Sequence, residues 1–413
     1  MATVSVVRSK KSDRVRPAIK LQFDYWLLLA IVGLCVIGML MVYSTTFDLG
    51  LLAKGDSTYY FRRQMMAMLL GVVVILVTMQ FDYQILRRFS ILIMAGTLGL
   101  LLVLLLVGQA NFGAVRGLYE NSYQPSEAAK LATILYIAHW LSSKGERIKD
   151  VTYGLLPFAI MTGLVCFLIV QQPDLSTSGL VALISFTLFF VAGAAWKQIF
   201  VAGTAGGGIF IFLMLTVPHA AARVHAWQEV LRDPNQAIWQ VKQALIALGS
   251  GSYLGVGLGN SVQKFGPLPA AHTDGIFAIL GEELGLAGCL LVLGFLGLLV
   301  WRGFRTARQA RDSYGFLLAV GVTCWLGYQA LINIAVITAV IPFTGIPLPF
   351  ISYGGTSLLF SLIGAGILLN ISRDANMSRR LQPQSQPTES KRESGDMRRR
   401  NGRTHLSGSG RRV

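Results

Sequence analysis

Residues 89–108 read FSILIMAGTLGLLLVLLLVG, twenty consecutive positions without a charge. A helix rises 1.5 Å per residue, so a run of this length is about 30 Å long, the thickness of a bilayer's hydrocarbon core. Arg87 and Arg88 close its front end. A strand of an outer-membrane barrel is about half as long and alternates in polarity, so this stretch reads as a membrane-spanning helix. Working outward, comparable runs fall at 25–43, 64–79, 127–141, 154–171, 178–194, 198–217, 275–301, 314–341 and 356–371. The fourth, 127–141, is short and weakly apolar, and the gap before 198 is tight.

The rest of the composition agrees. Of 413 residues, 53% are hydrophobic and 14% charged, against roughly 25% charged in soluble domains. A soluble enzyme and a disordered chain are excluded. The expected fold is an all-α integral membrane protein, a bundle of about ten transmembrane helices. A basic segment, 1–24, precedes the membrane domain, 25–371. Within that domain a large extracytoplasmic loop, 218–273, separates spans seven and eight. The first span has no small-x-small cleavage site behind it and reads as retained. The tail 372–413, rich in Ser, Arg, Gln and Gly, reads as disordered and basic. Cys35, Cys166, Cys289 and Cys324 all lie in apolar runs and read as small buried hydrophobes.

Lys and Arg set the orientation. With the N-terminus inside, 27 of the 36 fall in inner segments; the opposite orientation would put those 27 outside. Both termini are therefore expected in the cytoplasm. The net charge of +16 belongs to that inner side, where anionic lipid accounts for it. Nucleic acid is not an expected partner.

The outer loop holds Ile238, Val241, Leu245 and Leu248 at helical spacing beside Trp239, an amphipathic helix suited to the interface. It reads either as a lid or platform for a lipid-linked substrate or as ordinary packing. Gly249-Ser250-Gly251 and Gly255-Val256-Gly257-Leu258-Gly259 follow. Neither a Gly-Lys-Ser/Thr nor a βαβ unit accompanies them, so tight backbone turns are the expected use, not a nucleotide. Then come Asn260, Ser261, Val262, Gln263 and Lys264, and after them His272, Thr273 and Asp274 at the head of span eight. Thr273 or Asp274 suits a helix N-cap. Glu282 and Glu283 follow within the span, where ionisable groups are costly and usually face a polar cavity. Other outer-side groups can join them: Arg116, the run Gln124-Pro125-Ser126-Glu127, Lys130 and Asp174. Glu127 and Lys130 also suit an i,i+3 ion pair, and Asp174 a cap. His272 lacks a partner histidine at ligand spacing and suits hydrogen bonding.

These residues carry a resemblance. Over about 24–372 the chain resembles the SEDS proteins (shape, elongation, division and sporulation). The stretches are QPSEAAKL at 124–131, QQPDLST at 171–177, GLGNSVQKFGPLPAAHTDGIFAILGEELG at 257–285 and TGIPLPFISYGGTSLL at 344–359. Asn260–Lys264 looks like the division type. The resemblance implies ten spans and a peptidoglycan glycosyltransferase that polymerises lipid II. It also implies a class B penicillin-binding protein as partner, other divisome membrane proteins nearby, and a place at the septum. It puts the family's essential aspartate on Asp274 and its outer-face groups on Arg116, Glu127, Lys130 and Asp174. The chain departs from the pattern at Gly117, where a Trp is frequent after the Arg, at Ala270, where Glu is common, and at Gly275, where Phe is.

In that reaction a sugar hydroxyl displaces a lipid pyrophosphate, an already stable anion, so one general base suffices. Asp274 fits the base. The pyrophosphate needs positive charge from Arg116, Lys130, Lys264 or a divalent cation, Mg2+ or Mn2+, held by carboxylates. Gln124, Ser126, Glu127, Asp174, Asn260, Gln263, His272, Thr273 and Glu282 are the further candidates to touch substrate. No metal-ligand set is assigned and no nucleotide is required. Two rival readings remain at this point: a lipid II flippase, which needs a polar path across both leaflets, and a scaffold for the penicillin-binding protein. The inner halves of the spans carry few ionisable residues, which favours the polymerase.

Overall fold

The computed structural model of the chain describes residues 23–107, 124–232, 239–266 and 268–381. Two units are distinguished. Met1–Asn376 holds every site discussed below; of Met377–Val413, the described part is the helical stretch 377–381. Among the described residues every regular element is a helix, with no strand. The helices are α1 Tyr25–Lys54, α2 Tyr59–Thr78, α3 Gln84–Val107, α4 Pro125–Lys144, α5 Leu156–Val170 and α6 Leu175–Val191. They continue with α7 Trp196–Thr216, α8 Pro218–Arg232, α9 Trp239–Ser250, α10 Ile276–Gln309, α11 Ser313–Ile337 and α12 Gly355–Leu381.

Eight helices are long and apolar enough to cross a membrane, α5 together with the helical turn Val151–Leu155 that leads into it. At the other two expected spans stand α4 and α6, which do not meet that measure: α6 is apolar but only 17 residues long, and α4 does not reach the same apolar character. Both are among the more buried helices, and helices sheltered by neighbours need less lipid-facing surface. α11 lies at the centre, packed on α10, α4 and α6, whereas the apolar window of α7 buries nothing against the rest. α12 runs ten residues past the span end expected at 371.

Local chemistry sets the helix ends. The Asp24 carboxylate caps α1, accepting from the Trp26 and Leu27 amides at 3.1 and 3.2 Å, which satisfies donors that a helix start leaves orphaned. Arg302 near the end of α10 bonds the other Asp24 oxygen, and the Asp24 amide donates to Ser372 Oγ in α12. Asn370 donates to the Thr78 and Phe81 carbonyls, and Tyr83 to Asp312. The segments before α1, between α2 and α3, between α10 and α11, and along α12 thus meet at one end of the bundle, the grouping that the charge count requires.

α10 is broken at Gly285 (φ 66, ψ −165). In hydrocarbon an unpaired main-chain group costs several kcal/mol, and the glycine-rich loop 251–259 meets that demand. The Val256 and Gly257 amides donate to the Glu282 and Glu283 carbonyls, at 3.0 and 3.1 Å. The Leu286 and Ala287 amides donate back to the Ser252 and Tyr253 carbonyls, at 2.9 and 3.1 Å. Gly255 permits the approach: a Cβ there would stand 2.1 Å from the Glu283 carbonyl oxygen.

Candidate active site

Asp274 ends a tight turn, 270–275, immediately before α10. The Thr273 and Gly275 amides both donate to the Ala270 carbonyl at 3.1 Å. The N-cap falls on Gly275 without a side-chain cap bond, and the Thr273 hydroxyl donates to Ala270 O at 3.2 Å. The main chain of the turn is fixed from outside. Three consecutive carbonyls each accept a different donor: His272 from the Tyr353 amide (2.9 Å), Thr273 from Ser352 Oγ (2.7 Å) and Asp274 from Asn333 Nδ2 (2.9 Å). The Asp274 side chain is half-buried. Its Oδ2 lies where a Cβ on Gly345 would be only 3.2 Å away, and Gly345 has φ +73, so glycine serves there both for space and for backbone conformation.

The loop 344–347 gathers the other outer groups. The Thr344 carbonyl accepts from Ser176 Oγ at the start of α6, at 2.8 Å. Ile346 O accepts from Asn333 at 2.8 Å and Pro347 O from Gln329 Nε2 at 3.0 Å. Gln329 Oε1 in turn accepts from Lys130 Nζ at 2.9 Å and from Trp325 Nε1 at 2.8 Å. Lys130 and Glu127 form the i,i+3 ion pair at 2.7 Å, side chains 1% and 3% exposed. Asp174 caps α6 by accepting from the Thr177 amide at 3.2 Å. One short loop therefore touches the neighbours of Asp274, Lys130 and Asp174 at once. Ser126 is buried and Gln124 occupies the N-cap position of α4 without a side-chain cap bond.

A second group lies beside it, at the α10 break. Lys264 Nζ reaches Glu283 at 3.0 Å, Ser44 Oγ at 3.1 Å and the Gly259 carbonyl at 2.7 Å. Ser44 donates to Glu283. Glu282 accepts from Ser261 Oγ and, at 2.9 Å, from the Val262 amide. Both glutamates are buried and tie the loop 259–264 to α10 and α1; the aqueous cleft expected around them is filled by these partners. Asn260 is exposed and donates to Val256 O at 3.1 Å, while Gln263 keeps a buried Oε1 without a partner.

The His272 ring sits between Tyr60 and Tyr353, with centroids at 6.3 and 5.6 Å. Burial holds its imidazole below the usual range. Burial raises the Tyr353 phenol, against the pull of the Arg63 charge. Arg63 is exposed, and sequence reasoning missed it. It lines, with Arg62, Tyr59, Phe61, Met65 and Met66, an open cavity of about 610 Å³ at the head of α2. Arg116 lies outside the described residues. Among the described residues no group of three His, Cys, Asp or Glu side chains stands close enough together to hold a metal ion.

Also missed were Gln329 and Asn333. Their signal was available: two amides four residues apart share a face of a helix, and polar groups inside an apolar span are costly.

The fold and this site define a class: a polytopic helical membrane protein with a half-buried aspartate fixed at one end of the bundle. The family model described as "Cell cycle protein", covering FtsW, RodA and SpoVE, matches residues 25–377. The chain belongs to this family, the SEDS proteins. It is 36% identical over 355 residues to the probable peptidoglycan glycosyltransferase FtsW of Trichlorobacter lovleyi, covering 85% of this chain and 93% of the relative. It is 39% identical over 354 residues to the stage V sporulation protein E of Bacillus subtilis, covering 85% and 97%. Among solved structures it resembles the rod shape determining protein RodA of Thermus thermophilus, with a TM-score of 0.63 at 26% identity over 86% of this chain and 98% of that one. It also resembles a chain solved under the description "Structural coordination of polymerization and crosslinking by a peptidoglycan synthase complex", with a TM-score of 0.69, 26% identity and the same coverage.

Proposed function

We propose that this protein is a peptidoglycan glycosyltransferase that polymerises lipid II into glycan strands at the outer face of the bacterial cytoplasmic membrane, for septal wall synthesis. Both termini are cytoplasmic in this reading, and a class B penicillin-binding protein and other divisome membrane proteins are its partners. Asp274 carries the proposal: a carboxylate at a helix head, with its main chain fixed from α11 and its side chain half-buried beside Gly345. Curated relatives named as such transferases, alike over 85% of the chain, support it.

The chemistry follows from the residues. The acceptor's sugar hydroxyl is a weak nucleophile; Asp274 takes its proton as the bond to the donor sugar forms, and the lipid pyrophosphate leaves with the electron pair. A base held in place typically contributes about 10²–10⁴-fold. Lys130 and Lys264 are buried and paired. We place the leaving charge at the head of α2, where Arg62, itself paired with Asp56, and the exposed Arg63 line a cavity that also offers Phe61, Met65 and Met66 to the lipid. A flippase would need a polar path across both leaflets, and the two carboxylates within the eighth span, Glu282 and Glu283, are engaged by the loop beside them.

Chain formation from fluorescent lipid II, followed by gel with and without the penicillin-binding protein, tests this. Asp274→Asn keeps the side chain's shape and should lower polymerisation by at least about 100-fold at matched protein. Near-normal chains from that variant would reject Asp274 as the base.

A further inference from the structure

We propose that Asn333 is a positioning residue for Asp274: its one amide nitrogen pins the Asp274 carbonyl to the 344–347 loop and so fixes where the carboxylate stands. The inference rests on the reading of Asp274 as the base.

Asn333 Nδ2 donates to Asp274 O at 2.9 Å and to Ile346 O at 2.8 Å. A primary amide has two N–H groups, so both are used, one on each side of the site. The residue is 1% exposed on α11, the helix at the centre of the bundle. Of the three consecutive carbonyls in the turn, 272 and 273 are held by Tyr353 and Ser352 of the same loop. Only the Asp274 carbonyl is held from a helix. Its bond therefore ties the carboxylate-bearing residue to the rigid part of the molecule. A Cβ on Gly345 would meet Asp274 Oδ2 at 3.2 Å, so a shift of the turn moves the carboxylate against or away from that backbone. Misplacement of a reacting group by about 1 Å can cost 10²-fold in rate.

Loss of Asn333 also leaves two carbonyls without donors, which by itself destabilises. A matched control separates the two effects. Asn370 on α12 is likewise buried and likewise donates from Nδ2 to two carbonyls, those of Thr78 and Phe81, at the opposite end of the bundle. Asn333→Leu and Asn370→Leu remove the same groups.

The full-length protein is assayed for lipid II polymerisation, with kcat and KM per folded molecule and thermal unfolding in detergent measured for wild type, Asn333→Leu, Asn370→Leu and Asp274→Asn. Both leucine variants should melt earlier. Asn333→Leu should lose about 10–100-fold in kcat, with KM for lipid II within about twofold. Asn370→Leu should keep its kcat. If Asn333→Leu fails to fold, Asn333→Ser, which retains one donor, is read in its place and should show an intermediate loss. The proposal is overturned by a normal kcat in the variant read, by a loss confined to KM, or by an equal loss in Asn370→Leu. An inactive Asp274→Asn beside a fully active Asn333 variant removes the positioning role alone. An active Asp274→Asn removes the base reading, and the positioning role with it.

Discussion

The Lys264 ammonium sits 3.0 Å from the Glu283 carboxylate, with the two side chains 5% and 0% exposed. Ser44 of α1 bonds both partners. The pair thus joins three separate pieces of chain: the first helix, the outer loop and the broken tenth helix. Removing one member of a buried pair leaves an uncompensated charge, which costs about 3–5 kcal/mol, whereas replacing both by apolar groups is often neutral. Glu283→Ala should therefore lower the melting temperature in detergent sharply, and Lys264→Met with Glu283→Leu should recover most of the loss. A single variant as stable as wild type would show that the pair does not hold the loop.

Arg63 gives a second expectation. A charge-assisted contact to an anion is worth about 1.5–3 kcal/mol, so Arg63→Ala should reduce kcat/KM for lipid II by about tenfold or more. Melting should be unchanged, since the side chain is exposed. Steady-state polymerisation at varied lipid II checks this; an unaltered kcat/KM would assign the pyrophosphate to other cations.

Stability should fall in acid through Asp312. Burial works to raise its carboxyl, but hydrogen bonds from the Tyr83 hydroxyl, the Gln84 side chain and the Gly315 amide outweigh it and hold the group below its usual range. A carboxyl depressed by folding contributes stability that is complete above its unfolded value, about 3.9, and is lost as pH falls through the lower folded value. Melting curves from pH 6 downward should show an acid-dependent drop that is smaller in Asp312→Asn. Parallel curves would exclude this group as a source of acid sensitivity.

Sidedness has a direct measurement. Glu229 on α8 and Arg308 near the end of α10 are both exposed. In a background lacking the four native cysteines, an impermeant thiol reagent applied to intact cells should label Glu229→Cys and spare Arg308→Cys. The reverse pattern would put Asp274 on the wrong side of the membrane for polymerisation.

Most of the span pattern was legible in the sequence because lipid imposes one strong rule: long uncharged runs become helices. The rule weakens where helices shelter one another, which is why α4 and α6 look poor in isolation. Near the candidate site the i,i+3 pairing of Glu127 with Lys130 was legible. The pairing of the glutamates of α10 was not, since their partners Ser44, Ser261 and Lys264 come from as far as 239 residues away. Nor could residue spacing reveal that Thr344, Ile346 and Pro347 offer carbonyls to α6 and α11, since main-chain acceptors leave no mark on side-chain patterning.

The break in α10 bears on how a bulky lipid-linked donor enters. Four main-chain hydrogen bonds cross between 252–257 and 282–287, and none has water to replace it if the break lies at hydrocarbon depth. Swinging the glycine loop outward as a flap would strip all four together. The loop is therefore bonded to α10 on both sides of its break, and holds in place the front segment of the helix that Asp274 precedes. Admission of substrate would then fall to helices other than α10 and α11, which between them hold the carboxylate's backbone in place.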